Sequence, residues 1–177
     1  QHFHAIARST KLPLILYSIP GRCGIEIAVD TVNRLAHDSV NIVGIKEAGG
    51  NPDRVSQLRA TLGEKFTILS GDDSLTLPFM SVGAHGVISV ASNVIPREVA
   101  HMVRAYATGN TSLALKLHDK FYPVFKDLFI ETNPCPVKAA LAMMGVMEED
   151  FRLPLVRISA ASRERLRKTL KACGVLK

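Results

Sequence analysis

The sequence predicts an α/β protein: four parallel βα units, the C-terminal half of a (β/α)8 TIM barrel, followed by an all-helical C-terminal region. Three observations predict it. Short apolar runs alternate with amphipathic stretches four times before residue 110. The runs are apolar at successive positions, as strands covered on both faces are. Beyond Asn110 no strand pattern remains. The reading places the second half of the barrel at 1–109 and a helical domain at 110–177.

Leu14–Tyr17 (LILY) is the first strand run, and it ends at Pro20-Gly21. In the stretch 27–37, Ile27, Val32 and Leu35 recur at helical spacing. Asn41–Glu47 (NIVGIKE) is the second run, closed by Gly49-Gly50. Asn51-Pro52 then opens a helix, with Asn as N-cap, Pro at its first position, and Val55, Leu58 and Leu62 on one face. Phe66–Leu69 (FTIL) is the third run and ends at Ser70-Gly71-Asp72-Asp73, before a short helix over 74–82. Gly86–Val90 (GVISV) is the fourth, and Pro96 begins a helix that reaches about Gly109. Helices follow at about 111–130, 136–144 and 159–173, broken by Pro134, Pro136 and Pro154.

Four βα units also fit a doubly wound sheet, which carries a Gly-rich phosphate fingerprint after its first strand. PGRCG (20–24) is not that fingerprint, and no acid stands where a ribose binder belongs. A complete barrel needs ~250 residues, so half a barrel is the architecture that fits. Barrel chemistry sits at the C-terminal strand ends. Here those ends carry Tyr17, Lys46-Glu47, Ser70-Gly71-Asp72-Asp73 and Ser89.

Composition excludes other classes. With 47% apolar and 21% charged residues, the chain is neither disordered nor collagen-like. Its apolar stretches fall short of the ~20 residues of a spanning helix, and residues 1–10 hold no signal-peptide core. Residues 151–177 carry eight basic groups against Glu164 alone. The basic groups lack interleaved aromatics and complement a helix C-terminus, so a solvated helix face is expected and no nucleic-acid partner. Cys23, Cys135 and Cys173 are odd in number and lack CxxC spacing. That argues against a disulfide framework or zinc and fits a reducing cytoplasm. His2 and His4, two apart, do not share a helix face. No metal site is expected.

Lys46 is the most informative residue. Alternation along NIVGIKEA places it on one face with Gly44 and Ile42, so that Gly44 leaves room beneath it for a substrate. A lysine in an apolar run is held toward the neutral amine, which can form a Schiff base. The alternative is a strand-end lysine that reaches solvent or pairs with Glu47. Tyr17 can shuttle protons beside such an imine, and Arg22, in the following turn, can hold a carboxylate with two parallel bonds. Asp72-Asp73 reads as a polar loop or N-cap in preference to a magnesium site.

The motifs YSIPGRCG (17–24), GIKEAGGN (44–51), LSGDD (69–73) and GAHGVISVASN (83–93) resemble the dihydrodipicolinate synthase family of class I pyruvate-dependent aldolases. NPCPVKAAL (133–141) and FRLPLVRIS (151–159) resemble that family's C-terminal helical region. The resemblance implies condensation of pyruvate with L-aspartate 4-semialdehyde, without a cofactor, in lysine and diaminopimelate biosynthesis. It casts Lys46 as the imine-forming lysine, Tyr17 as the proton relay and Arg22 as the anchor for the semialdehyde carboxylate. It also implies that the Ile88 backbone faces the pyruvate adduct and that Gly71 lies by the same pocket. Arg22 and Gly71-Asp72-Asp73 favour this activity over a sibling sugar-acid aldolase of the sialic-acid lyase type. A non-catalytic half-barrel acting in assembly is the remaining alternative.

Two positions depart from the family pattern, Ser18 where Asn is usual and Gly49 where Ser or Thr is common. The motifs begin at the family's fifth βα unit, and the chain begins at Gln1. A fragment of a longer enzyme, or a truncated product, is therefore expected, and the resemblance implies a cytoplasmic enzyme that is a dimer or tetramer.

Overall fold

In the computed structural model, residues 1–176 are described; Lys177, counted among the basic tail, lies outside the described residues. Four strands, β1 (Leu14–Ser18), β2 (Ile42–Glu47), β3 (Thr67–Ser70) and β4 (Gly86–Val87), form one parallel sheet in the order β1-β2-β3-β4. Sequential parallel order with intervening helices is the connectivity of a barrel segment. Contacts divide the chain into two compact units, Gln1–Ile88 and Ser89–Lys177.

In the first unit, helices α1 (His2–Ser9), α3 (Val29–Asp38), α4 (Pro52–Leu62) and α5 (Thr76–Ser81) contribute to one core against the sheet. A short helix, α2 (Pro20–Cys23), fills the turn after β1. The core joins Leu16, Ile42, Ile45 and Ile68 from the strands to Val32, Leu35, Val55, Leu58 and Phe79 from the helices. The expected N-cap at Asn51 forms, its side chain accepting from the Asp53 N–H at 3.0 Å, with Pro52 opening α4. The sequence pattern missed α1 and α2. Gln1 places no side-chain cap on α1, and α2 is a single turn closed by Gly24 at φ 69°.

The strands carry apolar residues on both faces, and the helices cover one of them. The face away from the helices leaves Ile15 at 44%, Tyr17 at 45% and Val43 at 38% exposure. Strict alternation fails within β2. The pairing steps from Leu14↔Ile42 to Ile15↔Gly44, so Val43 is an extra residue and the strand is bulged there. Ile42 consequently turns to the helix-side core with Ile45, and it does not share the face of Lys46. Nor does Gly44 leave open space. A Cβ there would stand 2.6 Å from the Thr67 carbonyl oxygen, so glycine is what lets β3 approach. β4 is shorter than the predicted run 86–90, because Ser89 Oγ accepts the Ser92 N–H at 2.7 Å and starts a turn at Ala91–Asn93.

The second unit is helical: α6 (Pro96–Ala107), α7 (Thr111–Asp127), α8 (Cys135–Met143) and α9 (Ala160–Ala172). Pro136 does not break α8 but lies in its first turn, where no intrahelical N–H is needed. Leu166 and Leu170 of α9 are fully buried, while its basic residues face outward or pair. Asp127, 3% exposed at the end of α7, accepts Arg165 Nη2 at 2.8 Å and Thr169 Oγ1 at 2.6 Å, pinning α9 to α7. No described helix is long and apolar enough to cross a membrane.

Candidate functional site

The C-terminal ends of the strands are held in register one residue beyond the strands themselves. Ala48 N–H donates to the Ser18 carbonyl at 2.9 Å, Gly71 N–H to Glu47 at 2.7 Å, and Ile88 N–H to Ser70 at 2.9 Å. Tyr17 pairs with Lys46 across β1 and β2, and Lys46 with Leu69 across β2 and β3. In a parallel pair, partners of this kind project from the same face of the sheet. The Lys46 Nζ accordingly lies 4.3 Å from the centre of the Tyr17 ring, within cation–π range. A phenol and an amine on adjacent strand ends are thus brought together by register alone.

Gly71 completes the cluster by being small. A Cβ at this position would stand 2.5 Å from Ala48 Cβ and 3.1 Å from Lys46 Cε. The loop after β3 therefore lies directly against the lysine stem. Ile88 is 39% exposed at the end of β4, next to the strand that carries Gly71. Arg22 joins this rim by its place in α2, where its N–H donates to the Ile19 carbonyl at 3.0 Å and its side chain is exposed. Lys46 lies close to both Tyr17 and Gly71, and Arg22 and Ile88 share their end of the sheet.

The acid beside Lys46 points elsewhere. Glu47 is fully enclosed on the helix side, where its Oε2 accepts Arg54 Nε at 2.7 Å and its Oε1 accepts the Gly49 N–H at 2.7 Å. Pairing of Lys46 with Glu47, one of the alternatives left open by the sequence, is thereby replaced by a Glu47–Arg54 pair. Arg54, itself 5% exposed, also lies 3.1 Å from Glu26 Oε1 and donates to the Ile27 carbonyl. Sequence reasoning passed over this cluster. Its signal was present: Arg54 precedes Val55 by one and Leu58 by four, on the buried face of α4.

Asp72 has the capping role expected of it, accepting Ser74 N–H at 2.8 Å and Ser74 Oγ at 2.7 Å. Ser18 is buried, and its hydroxyl accepts the Ile27 N–H at 3.3 Å. Among the described residues, no group of three or more His, Cys, Asp or Glu is placed to hold a metal ion.

The model of the dihydrodipicolinate synthetase family matches residues 1–173. The 4-hydroxy-tetrahydrodipicolinate synthase of Aquifex aeolicus is 50% identical over 171 residues, which is 97% of this chain and 58% of that protein. The corresponding protein of Desulforamulus reducens is 49% identical over 176 residues, covering 99% of this chain and 60% of its own. The structure of the 4-hydroxy-tetrahydrodipicolinate synthase from Methylacidiphilum fumariolicum SolV superposes with a TM-score of 0.96 at 58% identity. It covers 98% of this chain and 58% of that one. The chain thus spans about three fifths of the relatives' length, and its sheet is half of their barrel. With a family model matching 173 of 177 residues and half-barrel geometry in common, the chain belongs to the dihydrodipicolinate synthetase family.

Proposed function

We propose that the protein condenses pyruvate with L-aspartate 4-semialdehyde through an imine on Lys46, giving 4-hydroxy-tetrahydrodipicolinate for lysine and diaminopimelate biosynthesis. The single observation that carries this reading is Lys46 Nζ poised 4.3 Å from the Tyr17 ring centre at the C-terminal rim of a half-barrel. The Lys46 amine adds to the pyruvate keto carbon, and loss of water leaves an iminium. That iminium is the electron sink, so a methyl proton can leave and the resulting enamine carbon can attack an aldehyde. Tyr17 relays the protons. Arg22 binds the carboxylate of the aldehyde substrate, while Gly71 and the Ile88 backbone line the pyruvate side. No cofactor enters this sequence.

The reading makes the protein a cytoplasmic lyase acting on small molecules as a dimer or tetramer, with residues 1–109 as barrel and 110–177 as helical domain. The test is substrate choice in the full-length protein. Condensation is expected with pyruvate and aspartate semialdehyde, together with a borohydride-trapped three-carbon adduct on Lys46 that Lys46→Ala abolishes. Cleavage of a sugar acid in place of condensation, or an adduct on a different lysine, sinks the proposal.

A further inference from the structure

We infer that Arg54 is a positioning residue that fixes the Arg22 turn relative to the Lys46 strand, with Glu26 and Glu47 as its two anchors. The inference rests on the proposed roles of Lys46 and Arg22. Arg54 lies at the start of α4 and is almost wholly buried. Its Nε is shared between two carboxylates, Glu47 Oε2 at 2.7 Å and Glu26 Oε1 at 3.1 Å. Glu47 follows Lys46 directly in β2. Glu26 lies four residues past Arg22, in the loop that returns from α2.

The clamp on that loop is double. Ile27 is gripped at both ends of its backbone, its N–H by Ser18 Oγ at 3.3 Å and its carbonyl by the Arg54 guanidinium. On the other side, Glu47 holds the Gly49 N–H through its side chain and the Gly71 N–H through its carbonyl, each at 2.7 Å. One buried guanidinium therefore links the loop after β1, the strand end of β2 and, through Glu47, the loop after β3. Gly49 is built around this arrangement. A Cβ there would stand 2.8 Å from Glu47 Oε1 and 3.0 Å from Glu26 Oε1, displacing one carboxylate or the other.

The physical need is evident from the chemistry. A bimolecular condensation requires two substrates at a fixed separation, and misplacement of about 1 Å can cost ~100-fold in rate. Arg22 is on a single exposed helical turn, which has little rigidity of its own. Two buried hydrogen-bonded groups planted in α4 and β2 supply that rigidity.

The discriminating variant is Glu26→Gln, since Glu26 is 43% exposed and lies outside the buried core. It removes the Glu26 charge while leaving an amide oxygen in its place, and it leaves the Glu47–Arg54 pair intact. In the full-length protein, KM for the aldehyde substrate should rise about two- to fivefold, the scale of a partly exposed ion pair. The rate of borohydride-trappable adduct formation with pyruvate should stay unchanged. Glu26→Asp should restore part of the lost affinity. Equal effects on both substrates, or on neither, overturn the inference. A parent protein that forms no pyruvate adduct at all overturns the proposed function first, and the two failures are distinct.

Discussion

Lys46 and Glu47 are neighbours in β2 and lie on its opposite faces, Lys46 against the Tyr17 ring and Glu47 beneath the helices against Arg54. Alternation along a strand makes this separation unavoidable. Its consequence is a division of labour. The open face carries the group proposed to react, while the enclosed face carries the charges that hold the strand end. Breaking a buried pair from one side strands the other charge, at ~3–5 kcal/mol. Substitution of Arg54 therefore tests folding as much as function, which is why the more exposed Glu26 is the better probe.

Arg22 gives the first prediction. Arg22→Lys keeps the charge but loses the planar fork that matches a carboxylate. KM for aspartate semialdehyde should rise about tenfold or more, the loss of one charge-assisted bond. KM for pyruvate should change little. Steady-state kinetics with each substrate varied in turn checks this, and a rise confined to pyruvate rules the assignment out.

Gly71 gives the second. A Cβ there meets Ala48 Cβ at 2.5 Å, and Lys46 Cε at 3.1 Å, so Gly71→Ala presses two side chains at once. Overpacking of this kind costs ~1–3 kcal/mol. The thermal midpoint should fall, and adduct formation at Lys46 should slow by about tenfold to a hundredfold as the lysine stem is displaced. Unchanged melting together with unchanged trapping contradicts the close approach.

The parallel sheet was legible because four short apolar runs alternate with amphipathic stretches of helical period. Register then brought Tyr17 and Lys46 together, as expected of strand ends in a barrel. Other features were not legible, for local reasons. The bulge at Val43 shifts a face by one residue, and its one sign, Gly44 inside the strand, was taken as room for a substrate. The partner of Glu47 lies seven residues on, on a different element, so a reading of β2 alone pairs it with the adjacent lysine. β4 ends early because of a single serine hydroxyl, which apolar periodicity does not register.

His118 gives the third prediction, on stability. Burial among Tyr122 and Phe125 holds its pKa below 6.5, and the nearby Asp119 opposes this in part. The unfolded chain, with an ordinary imidazole, therefore binds a proton at higher pH than the folded one. Stability attributable to His118 is present above about pH 6.5 and declines as pH falls from there toward the folded-state pKa. Thermal melts between about pH 5 and 7 should show this decline, and His118→Leu should flatten it. An unchanged slope in the variant shows that other groups carry the titration.

The sheet itself gives the fourth. β1 and β4 are its outer strands, and the face opposite the helices shows Ile15, Tyr17, Val43 and Ile88 at 38–45% exposure. In a closed barrel, that face is interior and every strand has two neighbours. Here, outer strands offer backbone N–H and carbonyl groups to any chain able to pair, and an apolar face of this kind favours association. Residues 1–177 produced alone should therefore elute from size exclusion as self-associated species and lack condensation activity, because Lys46 and Tyr17 face an open surface and not an enclosed pocket. Lys placed at Ile15 should shift the elution toward monomer, since a charge on an exposed strand opposes both pairing and face-to-face stacking. A soluble monomer of the unsubstituted 177 residues with ordinary turnover contradicts the half-barrel argument, for it requires the chemistry to proceed on a face that water reaches freely.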